Sequence, residues 1–488
     1  MNKLLFRPVH KLYCQLLPYG IILHSKTAGI QRFSASALQR KLTQTAAVFI
    51  ITSVISLGIL SKTSPIVWED HFQIGKNLRS TGALTIDGCP SVFRPPGYPG
   101  FVAASLWIGD AISNLRNLPA ERSTQHDLYI VVTAQSILLG AMASVIFFWA
   151  TLWGNFILAA SIAAAAVLNP YSLALANLAS YHLLFVAFAI FSILGQFLLR
   201  GSSPSTRLIA LGIGLLWGLT SLIRPTTLVI PFFIIVLMLF RCPIRHAIKS
   251  SGWILVGLIL IVGPYVGRNY LITGQPIVTA QGGFAFWGSS VEKMGPNEAF
   301  LDWQPLWWKY GMPIFSRVTG STEYSELLLN TYAIQLNAEF SKEARQNIIA
   351  TPKIYLFNVL HNYVFFNLDT MEFWNKYFIV DNKALVHTLS QIWIVCLMIM
   401  AATGSIWGGI KNDDNALIVI IVYLGIVIAH SISFASQLYT IGKLPLIILG
   451  FALLMRQLAI RPGYEVLASI VACSMAGFGL LISILSVI

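Results

Sequence analysis

Four short stretches carry side chains that could do chemistry, and each lies beside long apolar runs. The first is Trp68-Glu69-Asp70-His71-Phe72. Its adjacent carboxylates repel each other and cost solvation energy unless a metal, a basic group or an acceptor hydroxyl uses them. A solvated loop is the plain alternative. The stretch from Phe72 to Ala83 has the apolar spacing of a short surface helix, with Gly82 to end it. The second is Phe93-Arg94-Pro95-Pro96-Gly97-Tyr98-Pro99. Pro95 and Pro96 fix an extended or turn conformation, and Gly97 permits close backbone approach. An arginine on so stiff a loop is pre-positioned, and its planar fork suits phosphate. A rigid connector with an incidental arginine is the alternative.

The third stretch is Leu222-Ile223-Arg224-Pro225 and the fourth is Gly267-Arg268-Asn269-Tyr270. Both arginines stand at the ends of apolar runs, where snorkelling to an interface would also explain them. A carboxylate with several arginines suits group transfer from a phosphate-linked donor. The carboxylate would take the acceptor's proton, and the arginines would stabilise charge developing on the phosphate.

The elements that must position these residues are transmembrane helices. The chain has 488 residues, 56% hydrophobic and only 10% charged, too little polar material to coat soluble domains of that size. Apolar runs of near spanning length fall at 45–61, 127–150, 154–169, 181–199, 207–222, 226–240, 252–270, 388–408, 416–433, 441–455 and 464–487. They predict an all-α integral membrane bundle of about 11 helices. Lys3, Arg7, Lys11, Lys26, Arg32, Arg40 and Lys41 precede the first run with no acid among them, which places that end in the cytoplasm. Alternation then brings Arg200, Arg207, Arg241, Arg245, Lys249, Lys411, Arg456 and Arg461 to the same side. Nearly all of the +13 net charge is therefore a topology signal, and a nucleic-acid partner is not expected. The same alternation sets Glu69, Asp70, Arg94, Arg224 and Arg268 together on the outer face.

The chain divides into a basic N-terminal segment, 1–44, and a transmembrane region, 45–270, with an outer loop at 62–126. An outer loop or small domain at 271–386 and C-terminal helices at 387–488 complete it. Residues 12–23 read as a helix on the cytoplasmic face rather than a signal peptide. Residues 354–367 read as an interfacial helix. The outer segment carries Trp287, Trp303, Trp307, Trp308 and Trp374, which could stack on sugar rings or anchor at the interface. Five scattered cysteines form neither a disulfide framework nor a zinc motif.

The order of these motifs resembles the GT-C superfamily of membrane glycosyltransferases. It is most similar to the branch holding lipid A aminoarabinose transferases, protein O-mannosyltransferases and related lipopolysaccharide sugar transferases. The likeness rests on Glu69-Asp70, the Phe93–Pro99 loop, Gly218 through Pro225, Pro264 through Tyr270, and the segment from Gly274-Gln275-Pro276 to Gly288. It covers residues 45–290 well and the remainder weakly. It implies a GT-C-like bundle with outer-face juxtamembrane helices, and a polyprenyl-phosphate-linked sugar as donor. It also implies inversion at the sugar carbon and an essential outer-loop acid, Asp70 before Glu69. A hydroxyl acceptor of unspecified identity, membrane lipids and a bacterial inner membrane follow from the same likeness, with an organellar membrane as the alternative. Arg94, Arg224 and Arg268 are then the donor-phosphate candidates, and Pro95, Pro96, Gly97 and Tyr98 form a structural loop.

Two departures stand out. Ser180-Tyr181-His182 falls where many relatives carry an acid, so a divalent metal has only His182 as a candidate ligand there, and a lone histidine at a helix end is more often structural. Near the late spans, where relatives tend to show Arg-Tyr before a proline, this chain has Gln437-Leu438-Tyr439, Lys443 and Pro445. Lys443 is the candidate for the missing positive charge. A transporter or flippase of lipid-linked sugars, a non-catalytic membrane protein of the same fold, and a polysaccharide polymerase or ligase of another membrane fold are the competing classes. A transporter should place its binding groups near the midplane, in inverted repeats that this sequence does not display.

Overall fold

The computed structural model describes residues 35–67, 70–115, 123–199, 205–291, 307–368, 383–432 and 437–486. The surface helix expected at 12–23, and Glu69, Trp303 and Trp374, lie outside the described residues.

The first span, α1 (Ala35–Leu60), is followed by a two-residue strand, β1 (Ile66–Val67), and a short helix, α2 (His71–Thr81). Asp70 is the N-cap of α2, and Gly82 ends it in the left-handed region at φ 72°. A tight hairpin follows, β2 (Thr85–Ile86) with β3 (Cys89–Pro90), then α3 (Gly97–Leu115). Next come α4 (Thr124–Ala150), α5 (Phe156–Val167), α6 (Pro170–Asn177), β4 (Leu178–Ala179) and α7 (Tyr181–Phe197). Helix α8 (Ser205–Ile223) runs through a 3-10 turn at Pro225–Val229 into α9 (Ile230–Arg241), and the long α10 (Ile244–Thr273) follows. The region that the charge pattern assigns to the outer side, termed the outer region, holds α11 (Gly282–Ser290), α12 (Met312–Thr319), α13 (Glu326–Thr331), α14 (Ala333–Ala350) and α15 (Pro352–Leu368). Four helices close the chain: α16 (Lys383–Ile410), α17 (Asp414–Ile432), α18 (Leu444–Ala459), entered through a 3-10 turn at Gln437–Lys443, and α19 (Glu465–Leu485).

Among the described residues eight helices are long and apolar enough to cross a membrane. The pair α5 and α6, bent by 52° at Asn169-Pro170, would make a ninth, and Tyr181–Phe197 and Pro225–Arg241 are shorter apolar helices. The protein is an integral, multi-pass, all-α membrane protein. Outward faces are apolar: Ile392, Ile399 and Ile406 repeat every seven residues along α16 and are all exposed, as lipid contact requires. Helix α1 begins ten residues earlier than its apolar run, because Gln39, Arg40 and Lys41 continue its first turns; at 26 residues it exceeds the roughly 20 that span the hydrocarbon.

Two apolar cores result. The larger fills the bundle. The smaller belongs to the outer region and gathers Trp287, Trp307, Phe315 and Phe340, together with Val92 and Phe93 from the first outer loop. Trp287 and Trp307 are therefore core residues, unavailable for stacking on a sugar, whereas Trp308 is exposed. Helix α15 has two faces. Leu356, Phe357, Leu360 and Val364 are exposed, while Asn358, Asn362 and Phe366 are buried at fourfold spacing.

Candidate active site at one end of the bundle

Proline chemistry shapes the site's first wall. Pro95 and Pro96 hold the Arg94 segment outside any helix, and α3 starts at Gly97. A Cβ on Gly97 would lie 2.7 Å from the backbone nitrogen of Ile223, so only glycine lets this loop rest on the last turn of α8. One residue on, Pro225 forces Arg224 into extended backbone at φ −139°, ψ 99°, which ends α8. The two proline-bounded arginines are thus carried by backbone segments in direct contact.

Asp70 approaches from α2. Its side chain makes no cap hydrogen bond to its own helix and instead pairs with the Arg94 guanidinium at 3.5 Å. The carboxylate is partly exposed and Arg94 less so. Far-side ion pairs hold α2 in place: Arg79 grips Asp110 of α3 in a two-point contact at 2.7 Å, and Lys76 lies 3.7 Å from buried Asp127 of α4. The Asp110 contact holds the Arg79 guanidinium above its ordinary pKa.

A parallel two-residue ladder joins β1 to β4, pairing Ile66 with Leu178 and Val67 with Ala179. This brings the Asp70 loop beside Ser180-Tyr181-His182. The His71 ring lies 5.3 Å from Tyr181, which stacks on His182 at 4.1 Å. His182 is buried, with Nδ1 2.9 Å from the Ser180 hydroxyl. Among the described residues no three metal-ligating side chains converge.

The ladder and the proline loop share one support that the motifs did not reveal. Gln135, fully buried inside α4, accepts a hydrogen bond from the Tyr98 hydroxyl at 2.9 Å. Its amide donates to the carbonyls of Leu175, Ala176 and Leu178 at 3.2, 3.0 and 2.9 Å. These carbonyls sit where α6 breaks into β4 and have no helical donor to use.

Arg268 serves the same loop. Its Nη1 donates to the Ser91 carbonyl and to Asn269 Oδ1, both at 2.8 Å, and its Nη2 donates to the Leu84 carbonyl at 3.1 Å. Tyr265, one turn earlier, donates to the Arg94 carbonyl at 3.3 Å. The outer region adds Ala280 N–H to the Val92 carbonyl at 3.0 Å and the Thr279 hydroxyl to the Phe93 carbonyl at 2.5 Å. The Arg94 loop is clamped from both the bundle and the outer region.

A second basic group lies deeper. Arg224 is buried, with Nη2 3.0 Å from Nε2 of His430 on α17 and its guanidinium carbon 4.9 Å from the centre of the Phe185 ring. A Cβ on Gly442 would meet Arg224 Nη1 at 3.2 Å and His430 Nε2 at 3.7 Å, so the turn carrying Lys443 is pressed against this pair. Buried Lys443 donates to the Phe366 carbonyl at 3.0 Å, and the Phe366 ring stacks on His430 at 5.2 Å. Segments from α8, α15, α17 and the turn before α18 therefore converge on one basic cluster. His430 and Phe366 are parts of it that the motifs missed. A histidine inside the apolar run Ile426-Val427-Ile428-Ala429-His430 was the available signal, since ionisable residues at that depth are seldom incidental.

No family model and no curated protein matches the chain. Among solved structures it is similar to the Archaeoglobus fulgidus oligosaccharyltransferase in complex with zinc and sulfate, at 13% identity and a TM-score of 0.49, over 90% of this chain and 53% of that one. It is also similar to ArnT from Cupriavidus metallidurans bound to undecaprenyl phosphate, at 10% identity and a TM-score of 0.40, over 92% of this chain and 85% of that one. The chain thus spans about half the length of the archaeal protein.

Proposed function

We propose that this protein transfers a sugar from a polyprenyl-phosphate donor to a hydroxyl acceptor at the outer membrane face, with inversion at the sugar carbon. One observation carries the reading. The Asp70 carboxylate meets Arg94 on a clamped Pro-Pro-Gly loop, and that loop rests on the backbone leading directly into Arg224 of the buried basic cluster. That arrangement supports Asp70 as a base and Arg224 as a phosphate-binding group carried on contiguous backbone at one end of the bundle. A transporter has no use for a base fixed at one face.

In this mechanism Asp70 accepts the proton of the incoming hydroxyl while that oxygen bonds to the anomeric carbon. The bond from that carbon to the phosphate oxygen breaks on the opposite side, and its electron pair leaves on the lipid phosphate. Arg224 and Lys443, with Arg94 at the loop, hold the dianion formed, so no protonating acid is needed. Arg94 also keeps the Asp70 carboxylate aimed. Arg268 acts on the loop through its carbonyl contacts. The motif likeness in the sequence supplies the donor class, and a bacterial inner membrane with a cytoplasmic N-terminus follows from the same likeness and the charge pattern.

Purified protein supplied with radiolabelled polyprenyl-phosphate sugars and a lysate of acceptors tests this. Asp70→Asn should lose transfer by at least about a hundredfold, the scale of a general base, while keeping the wild-type melting profile. Equal transfer by the variant would remove Asp70 as base. Net movement of intact lipid-linked sugar across vesicles, without transfer, would favour the transporter.

A further inference from the structure

No step of the proposed transfer uses His430, yet it is 2% exposed, near the end of a membrane span and in contact with the arginine assigned to the phosphate. Arginine has only donors, so at 3.0 Å the Nε2 of His430 must present its lone pair. The imidazole is therefore neutral, with its proton on Nδ1. We propose that His430 is a positioning residue for Arg224: its Nε2 aims the guanidinium at the lipid phosphate, and Phe366 fixes the ring that does so. The proposal rests on the transferase reading above.

Two contacts define the ring's orientation. The Phe366 ring covers its face at 5.2 Å with an interplanar angle of 16°, and Arg224 takes its edge. Phe366 is itself held, because α15 is bolted down on the same side. Asn362 donates to the Ser431 carbonyl at 3.2 Å and to the Ser289 hydroxyl at 3.1 Å, and Asn358 donates to the carbonyls of Ser289 and Val291 at 2.9 Å each. The carbonyl of Phe366 receives Lys443. One turn of α15 thus places both basic groups, Lys443 directly and Arg224 through His430. A guanidinium without this acceptor would turn toward other oxygens, losing the fixed direction on which charge stabilisation depends.

Two substitutions separate the hydrogen bond from the stack. His430→Phe keeps an aromatic face for Phe366 and has no acceptor. His430→Gln loses the stack and returns an amide oxygen near the position of Nε2. Binding of undecaprenyl phosphate to the purified full chain in nanodiscs is the readout, with Arg224→Gln as reference. His430→Phe should weaken binding about tenfold or more, the usual cost of a lost hydrogen bond to a charged group, and His430→Gln should stay within about threefold of wild type. In the Arg224→Gln background His430→Phe should cost nothing further. Wild-type affinity in His430→Phe, or equal losses in the Phe and Gln variants, would overturn the positioning role and leave the transferase reading intact. Failure of the wild type itself to bind would overturn the transferase reading, and this role with it. A double-mutant cycle on melting temperature would still report whether the Arg224–His430 pair forms.

Discussion

Replacing Gln135 by leucine should damage the site through the loop and the ladder that Gln135 supports. Leucine matches the volume of glutamine approximately but supplies no polar atom. The change removes the acceptor of the Tyr98 hydroxyl, which is fully buried, and the side-chain donor to the carbonyls of Leu175, Ala176 and Leu178, of which Leu178 keeps the Ser180 N–H at 2.7 Å. The amide has two N–H groups, so its three carbonyl contacts count as two bonds at most. Side-chain hydrogen bonds inside membrane proteins average only about 0.6 kcal/mol, because the unfolded chain finds other partners in the bilayer. That value suits the Tyr98 bond, so Tyr98→Phe should cost about 0.6–1 kcal/mol. The carbonyls of Leu175 and Ala176 are a different case: they sit at a helix break, and each should cost about 1 kcal/mol or more. Gln135→Leu is therefore expected to lose about 2–4 kcal/mol in all. Equilibrium unfolding in mixed micelles would measure both variants and the double variant. The double variant should lose less than the sum of the two, since one bond is shared. Sugar transfer should fall more steeply in Gln135→Leu than in Tyr98→Phe, because only the former also frees the β1–β4 junction beside Asp70. A Gln135→Leu protein as stable as wild type would refute the reasoning, as would a Tyr98→Phe loss of equal size.

Two further outcomes are expected. Gly97→Val should separate the Arg94 loop from α8, since even a Cβ would stand 2.7 Å from Ile223 N; about 1–3 kcal/mol of stability should go, and the loss of transfer should exceed what reduced folding explains when both are measured on the same preparation. Arg268→Met should speed hydrogen exchange across residues 84–94 yet leave undecaprenyl phosphate affinity far closer to wild type than Arg224→Gln does, whereas equal losses would make Arg268 a donor ligand rather than a loop clamp.

The helices were legible because lipid demands apolar runs of a set length, and that demand is written in every residue of a span. The turn chemistry was legible for the same local reason. Gly82 ends α2, Pro225 holds Arg224 extended, and Gly97 makes a close approach, each through the backbone freedom of that residue or its neighbour. The supports were not legible. Gln135 acts on residues 37 to 43 positions away, and His430 meets an arginine 206 positions earlier. No local rule connects such positions, and a polar residue in an apolar run announces a partner without naming it. Two of the tryptophans read otherwise for the opposite reason. Their composition fitted sugar stacking, but Trp287 and Trp307 fill the only kind of interior a small outer region can build.

The arrangement also explains why the outer region is welded to the first outer loop rather than left as a mobile cover. Val92 and Phe93 belong to its core, and their carbonyls are taken by Ala280 and Thr279. The next residue is Arg94, paired with Asp70. On its other side the same region reaches Phe366 through Ser289, Asn358 and Asn362. It therefore touches both halves of the proposed site, the base through Arg94 and the leaving-group cluster through α15. Whatever binds this outer region can bias both halves through rigid contacts. A transferase gains from that coupling, because a base and a leaving-group pocket are productive only when held in register.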